Sequence, residues 1–176
     1  MVRVSLVEQF VADDRVGKGV EQCWLDVSNA GGAVGFPSLP VSNAEVSEAT
    51  RRLARDVSRG SALVFVAEGD GEVVGWVSLR LNSADVARHW ATVERLQSRP
   101  ERRGCGIGNR LMQVLHQHAR SIGLEQLRLV LRGGEGLEGF YTQLGWKEIG
   151  RHPGALRIAE GDDRDEVSMV FALTSG

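Results

Sequence analysis

The chain has 176 residues, of which 42% are hydrophobic, and a formal net charge of −2 at pH 7. This length and apolar content predict a single domain over residues 1–176, with a substantial core. The near balance of charge, without long basic blocks, argues against a nucleic-acid partner, and no apolar run is long enough to cross a membrane. Cys23 and Cys105 give neither a disulfide framework nor a metal-ligand spacing, and the N-terminus lacks the features of a signal peptide. We therefore expect a cytoplasmic protein without a metal cofactor.

The first half of the chain is predicted to form a strand, two helices and a hairpin. Alternating apolar residues predict the strands, and apolar residues at helical spacing predict the helices. Ser42 and Glu45 form a capping box at the start of the second helix, and residues 68–72, Glu-Gly-Asp-Gly-Glu, are a strong hairpin signal. The predicted ranges are strand 2–7, helix 14–29, loop 31–37, helix 42–60, strand 62–67 and strand 73–81.

The second half of the chain predicts a β–α–β crossover. The first strand of this unit runs directly into a glycine-rich turn, and an amphipathic helix follows the turn. The predicted ranges are strand 90–98, helix 106–121, strand 127–131, helix 138–144, strand 146–149 and strand 166–173. The whole order predicts an α/β (α+β) domain with a mixed, mostly antiparallel sheet, about four helices and a single crossover.

Residues 103–108, Arg-Gly-Cys-Gly-Ile-Gly, place three glycines at alternate positions directly before a helix. Glycine lets the backbone approach a ligand closely, and the first N–H groups of a helix have no partner within it. The turn therefore indicates a phosphate or pyrophosphate site, with Arg99, Arg102 and Arg103 as nearby cations. Its spacing matches neither the dinucleotide fingerprint nor a P-loop. A tight turn without a ligand is the alternative.

Residues 96–112 resemble the acetyl-CoA-binding motif of the GNAT N-acetyltransferases, R/Q-x-x-G-x-G/A, with Arg103, Gly106 and Gly108 at the motif positions. Downstream, residues 140–146, Phe-Tyr-Thr-Gln-Leu-Gly-Trp, resemble the F-Y-x-x-L-G-F segment of the same family. The resemblance implies the GNAT fold, acetyl-CoA as the co-substrate and direct transfer of its acetyl group to a primary amine.

A narrower likeness is to the tabtoxin-resistance type of acetyltransferase. It rests on residues 31–36, on residues 93–96 and on Pro153 followed by Gly154. It implies that the acceptor is a small amino-bearing toxin or antibiotic.

The family resemblance also implies which residues contact the donor. These are Leu96, Gln97, Ser98, Arg103, Gly104, Cys105, Gly106, Ile107, Gly108, Asn109, Gly134, Phe140 and Tyr141. Four positions depart from the family pattern. Ser98 and Arg99 replace apolar residues before the proline, Gly134 lies where many members carry an asparagine, and Trp146 replaces a phenylalanine.

Direct acetyl transfer needs a neutral amine, a donor to the developing oxyanion and a proton for the departing thiolate. An alkylamine has a pKa of roughly 10 and a thiol of about 8.5, so a base and an acid both assist near pH 7. By its match to the family, Tyr141 is expected to protonate the thiolate, although packing alone would also explain an aromatic there. Glu94 is the candidate base, acting through a water, or else a strand carboxylate paired with Arg95 or another neighbour. Backbone N–H groups over residues 94–98 are the candidate oxyanion donors.

The acceptor site is the least determined part of the sequence. Trp24, Phe36 and Trp90 are candidates to line it, or are ordinary core residues. Specificity is expected to depend on loops over residues 31–40 and 151–164. The leading prediction is a small-molecule N-acetyltransferase that is a monomer or a homodimer. A protein or peptide N-acetyltransferase and a non-catalytic acyl-CoA sensor are the alternatives.

Overall fold

A seven-stranded sheet forms the centre of the computed structural model, which describes residues 1–32, 35–36 and 39–173. Residues 33, 34, 37 and 38 of the expected specificity loop, and residues 174–176 of the predicted domain, lie outside this description. The helices and strands are β1 Arg3–Val7, α1 Arg15–Asn29, α2 Asn43–Ser58, β2 Ala62–Gly69, β3 Glu72–Leu81, β4 Trp90–Ser98, α3 Ile107–Ser121, β5 Gln126–Arg132, α4 Leu137–Gln143, β6 Lys147–Ala159 and β7 Asp162–Ala172.

The strand order is β1-β2-β3-β4-β5-β7-β6, and every neighbouring pair is antiparallel except β4 with β5. Helix α3 connects that parallel pair, which confirms the predicted mixed sheet with one β–α–β crossover. The parallel ladder is short, because only residues 90–92 of β4 pair with residues 126–128 of β5. Beyond it, β4 stays paired with β3 and β5 with β7. The sheet therefore opens as a wedge between β4 and β5.

Two apolar cores cover the two faces of the sheet. Helix α3 buries Leu111 and Leu115 on one face, whereas α1 and α2 bury Trp24 and Val46 on the other. The predicted capping box is present at the start of α2, where the Glu45 carboxylate accepts a hydrogen bond from the backbone N–H of Ser42 at 2.9 Å. The helices thus lie where their apolar stripes meet the sheet.

The loop predicted over residues 151–164 is wrong, because these residues continue β6 and β7 as a long hairpin. Nearly every side chain of β6 is exposed, so its sequence has no apolar alternation, and Pro153 with Gly154 resembles a chain break. β6 lies at the edge of the sheet, where proline is tolerated. Cross-strand ion pairs such as Arg157–Asp163 hold the exposed part, with Nε 2.7 Å from Oδ1.

The hairpin predicted over residues 68–72 is confirmed. Asp70 and Gly71 form its two-residue turn, and both have positive φ, as a type I′ turn requires. Among the described residues, no helix has the length and apolar content needed to span a bilayer.

Candidate functional site

A bulge in β4 bends this strand where it leaves β5. Arg95 and Leu96 together lie opposite a single residue of β3, because Trp76 pairs with Gln97 and Ser78 with Glu94. Arg95 has φ +58°, in the left-handed region that disfavours residues with a side chain. Such a conformation costs about 1–3 kcal/mol and persists where the surroundings enforce it. The bulge therefore helps to open the wedge in the sheet.

The wedge forms one side of a groove of about 690 Å³ between β4, α3, α4 and the end of α1. Most of the residues expected to contact the donor line this groove. They are Leu96, Gln97, Ser98, Arg103, Gly104, Gly106, Ile107, Gly108, Asn109 and Phe140. Cys105, Gly134 and Tyr141 are not among its lining residues. Cys105 is exposed, and the N–H of Gly134 donates to Glu138 at 3.0 Å.

One end of the groove has the features of an anion site. Gly106 is the N-terminal cap of α3 with φ +73°, and the first helical hydrogen bond runs from Arg110 N to Gly106 O at 3.1 Å. The N–H groups of residues 107–109 therefore have no acceptor within the helix. A Cβ at Gly106 would enter open space, so glycine is required by the backbone conformation and leaves room for a ligand. Helix N-termini of this form bind phosphate groups.

The three arginines near the turn have different roles. Arg103 lines the groove and has no ion-pair partner within the described residues. Arg102 also lines it and pairs with Asp70, with Nη2 3.0 Å from Oδ2. Arg99 points away, because its Nε donates to the Val73 carbonyl at 2.9 Å. Arg103 and Arg102 are thus the cations available to a phosphate.

Gln97 lines the middle of the groove with an unsatisfied amide. The residue is 5% exposed, and neither Nε2 nor Oε1 has a hydrogen-bond partner in the described chain. A buried amide without a partner costs about 1–3 kcal/mol. It offers both donors and an acceptor to a ligand. CoA carries amides in its pantetheine arm and a pyrophosphate next to that arm. The amide of Gln97 and the N-terminus of α3 therefore fit these two parts of the molecule.

Tyr141 lies beneath the groove wall. Its ring packs edge-on against Phe140 and Trp146, at centroid distances of 5.0 and 5.7 Å, and the residue is 8% exposed. Burial raises the pKa of its hydroxyl well above the usual range. The hydroxyl therefore stays protonated near neutral pH, and none of the described residues accepts a hydrogen bond from it.

Glu94 lies within a network of ion pairs on the other side of the bulge. Arg80 Nε donates to its Oε1 at 3.0 Å, and Arg95 Nη1 donates to its Oε2 at 2.8 Å. Arg80 Nη1 also donates to Asp56 Oδ2 at 3.3 Å. The ion pairing with Arg95 that is the alternative role for Glu94 is thus present. Because a carboxylate has about four acceptor positions, the network leaves room for a water.

A second cavity of about 620 Å³ lies beside this network. Trp24 and Phe36 form an aromatic wall, with their ring centroids 5.4 Å apart. Trp90 lines neither cavity and lies at the opposite end of β4 from the bulge. The cavity and the groove are neighbours, because Arg95 lines one and Leu96 the other. The segment after α1 also contributes to both.

Sequence reasoning missed the charged residues of this second cavity. Its charged lining consists of Glu45, Glu48, Arg52, Asp56, Arg80 and Arg95. The first four lie on α2 at spacings of three and four residues, so they form one stripe on the helix. That periodicity is visible in the sequence, but a polar stripe on a helix usually faces solvent.

The cysteines and histidines lie outside these two cavities. Cys23 is buried in α1, and burial raises the pKa of its thiol to about 12. His116 is buried, with its ring stacked on Phe171 at 4.1 Å. Across the described ranges, no group of three or more His, Cys, Asp or Glu residues is arranged to hold a metal ion.

Comparison with known proteins identifies one family. The sequence model of the Acetyltransferase (GNAT) family matches residues 35–146, more than half of the chain. This match includes β4, the glycine turn, α3 and α4.

Several solved structures share the fold at low sequence identity. The Salmonella typhimurium protein yncA, solved with its cofactor acetyl-CoA, is 16% identical, with a TM-score of 0.77 over 100% of this chain and 96% of that one. An N-acetyltransferase from Staphylococcus aureus Mu50 is 15% identical, with a TM-score of 0.77 over 99% of both chains. A ribosomal-protein-alanine N-acetyltransferase from Brucella melitensis is 21% identical, with a TM-score of 0.72 over 98% of this chain and 99% of that one. At these identities, the likeness concerns the fold.

Proposed function

Because this chain belongs to the GNAT acetyltransferase family, we propose that it transfers an acetyl group from acetyl-CoA to the primary amine of a small molecule. The observation that carries the proposal is the pair of neighbouring cavities at the β4 bulge. One has an anion cradle and an unsatisfied buried amide, as the donor requires. The other, with an aromatic wall, is of the size that small ligands occupy.

In this proposal, the groove holds the donor. The N–H groups of residues 107–109 and the guanidinium of Arg103 bind the pyrophosphate. The amide of Gln97 hydrogen-bonds the pantetheine arm, and Phe140 packs along it. When bound, acetyl-CoA supplies an acyl group activated as a thioester. Residues 94–98 of β4 lie beyond the short ladder with β5, so backbone N–H groups there can donate to the oxyanion.

Two side chains move the protons. Tyr141 holds its proton at neutral pH and donates it to the departing thiolate. Glu94 accepts a proton from the amine through a water that binds its carboxylate. Arg80 and Arg95 fix the orientation of that carboxylate from both sides. In this proposal each requirement of direct transfer has a group: Glu94 as the base, Tyr141 as the acid and the backbone of β4 as the oxyanion donor.

The cellular compartment and the class of acceptor are also part of this proposal. We propose a cytoplasmic enzyme, because a reducing compartment keeps the free thiols of Cys23 and Cys105 reduced. A small amino-bearing toxin or antibiotic is the class of acceptor that the narrower likeness implies.

The test is an assay of acetyl transfer with a panel of small amines and of peptides with a free α-amino group. We expect acetylated small amines and an equal amount of free CoA, both measured by chromatography with mass detection. A thiol-reactive dye is unsuitable, because the exposed Cys105 thiol would react with it. Acetylation of peptides alone would instead support a protein acceptor. Tight acetyl-CoA binding without turnover on either set would support a sensor module.

A further inference from the structure

The charged groups of the second cavity leave a surplus of hydrogen-bond donors. Each of its acidic neighbours is already engaged. Both oxygens of Glu94 accept from arginines, and Asp56 accepts from Arg80. Glu48 pairs with Arg55 at 3.1 Å, and Glu45 closes the capping box with Ser42 at 2.6 Å. These carboxylates thus have partners before any ligand enters.

All three cations of the cavity keep free donors, and two of them keep more than Arg80, which already donates from Nε and Nη1. Arg52 has no ion pair or hydrogen bond with any described residue, so all five of its N–H groups are available. Arg95 uses only Nη1, toward Glu94, and its buried Nε has no partner. A guanidinium offers planar pairs of donors that match a carboxylate.

Arg95 is also held firmly in place. Its guanidinium stacks over the Trp24 ring, 5.1 Å from the centroid, and its Nη1 is bonded to Glu94. Its backbone has the left-handed conformation of the bulge, a position where glycine would be unstrained. An arginine at this position places a cation at the point where the cavity meets the groove.

We propose that the acceptor carries a carboxylate close to its amine, and that Arg52 and Arg95 bind this carboxylate. The acceptor class is thus an amino acid or a close analogue, with its remaining atoms against Trp24 and Phe36. This inference rests on the proposed function for the identity of the cavity as the acceptor site.

The experiment compares an amino acid with its own methyl ester, which lacks the negative charge and is larger by one methyl group. We expect kcat/KM for the free acid to exceed that for the ester by about tenfold to hundredfold, as charge-assisted hydrogen bonds predict. Arg52→Gln should raise KM for the acid and bring the acid-to-ester ratio toward one, whereas Arg52→Lys should retain part of the preference. Arg59→Gln is the control, since Arg59 is the exposed C-cap of the same helix, has no side-chain partner among the described residues and lies outside the cavity lining.

A binding measurement separates this inference from the proposed function. Calorimetric titration of the CoA complex with the acid and with the ester reports carboxylate recognition without turnover. Selective binding of the acid that Arg52→Gln abolishes, with no acetylation of any amine, would support the inference and contradict the proposed function. Equal use and equal binding of acid and ester, a ratio unaffected by Arg52→Gln, or a preference for diamines would each overturn the inference. Melting curves of the variants show whether each remains folded.

Discussion

Buried polar atoms without partners occur in several parts of the described chain, and two of these parts differ in their surroundings. Arg95 lines the second cavity and Gln97 lines the groove, and the two residues flank Leu96 at the bulge. His116 of α3 and Trp146 lie in an aromatic cluster with Phe171, and they line neither the groove nor the second cavity. The same cost, about 1–3 kcal/mol for each group, therefore has a different meaning in each place. At the cavities a bound ligand would relieve this cost, whereas the cluster lines neither cavity.

Tyr141→Phe tests the proposed acid. We expect kcat to fall about 100-fold, a typical contribution of a general acid, with the affinity for acetyl-CoA unchanged. The hydroxyl makes no hydrogen bond with described residues, so its removal should leave the melting temperature within a few degrees. Steady-state kinetics over pH 6–9 and calorimetric titration check these outcomes. Turnover equal to the unsubstituted enzyme across that range would remove Tyr141 from the mechanism.

His116 gives the fold a dependence on pH. Burial, aided by Arg120, lowers the pKa of its imidazole to about 4, below the usual 6.5. Between these values the unfolded chain binds more protons, so the free energy of unfolding decreases as the pH falls. We expect a loss of about 2 kcal/mol between pH 7 and pH 5 from this residue.

Urea denaturation at both pH values checks this effect. His116→Phe should show a smaller loss on acidification than the unsubstituted protein, because it has no imidazole to protonate. His89→Gln, at an exposed histidine, should not reduce the loss. Equal pH dependence in all three proteins would show that other groups cause it.

Among the elements, α3 joins the anion cradle to the core. Its buried face fixes the helix against the sheet, and its N-terminus depends on a glycine with φ +73°. The helix is thus held by packing along its length, while only its first turn lines the groove. The contribution of α3 to stability and its contribution to ligand binding can therefore be measured independently.

Gly106→Ala tests the cradle. A Cβ there strains the backbone by about 1 kcal/mol and projects into space that the pyrophosphate would occupy, so the Kd for CoA should rise at least tenfold. Gly123→Ala is the matched control, because Gly123 follows the same helix with φ +80° and also has open space around its Cβ. It should lose similar stability and keep its CoA affinity. Calorimetry and thermal melting measure both quantities. Equal weakening of CoA binding in the two variants would attribute the effect to backbone strain.

At the scale of the whole molecule, the sequence predicted those parts whose signals are local. The β4–α3–β5 unit follows from a glycine turn beside two apolar segments, and the turn at Asp70 and Gly71 follows from its residue types. The length of β6 could not be predicted, because an exposed strand held by backbone pairing and ion pairs has no apolar pattern.

The second cavity escaped prediction for another reason. Arg52, Arg80 and Arg95 come from α2, β3 and β4, and only the packing of the helix on the sheet brings them together. The donor groove was more accessible to prediction, because most of its lining belongs to two continuous segments around the glycine turn and α4.

The two cavities also differ in which elements build them. Of the described residues, α2 contributes seven of the twelve that line the second cavity and none of those that line the donor groove. Substitutions at the exposed charged residues of that face, such as Arg52, can therefore change the proposed acceptor site without altering the core or the cradle. In lineages that carry this fold, we expect duplicated genes to diverge first in the molecule that they acetylate and last in the donor that they use.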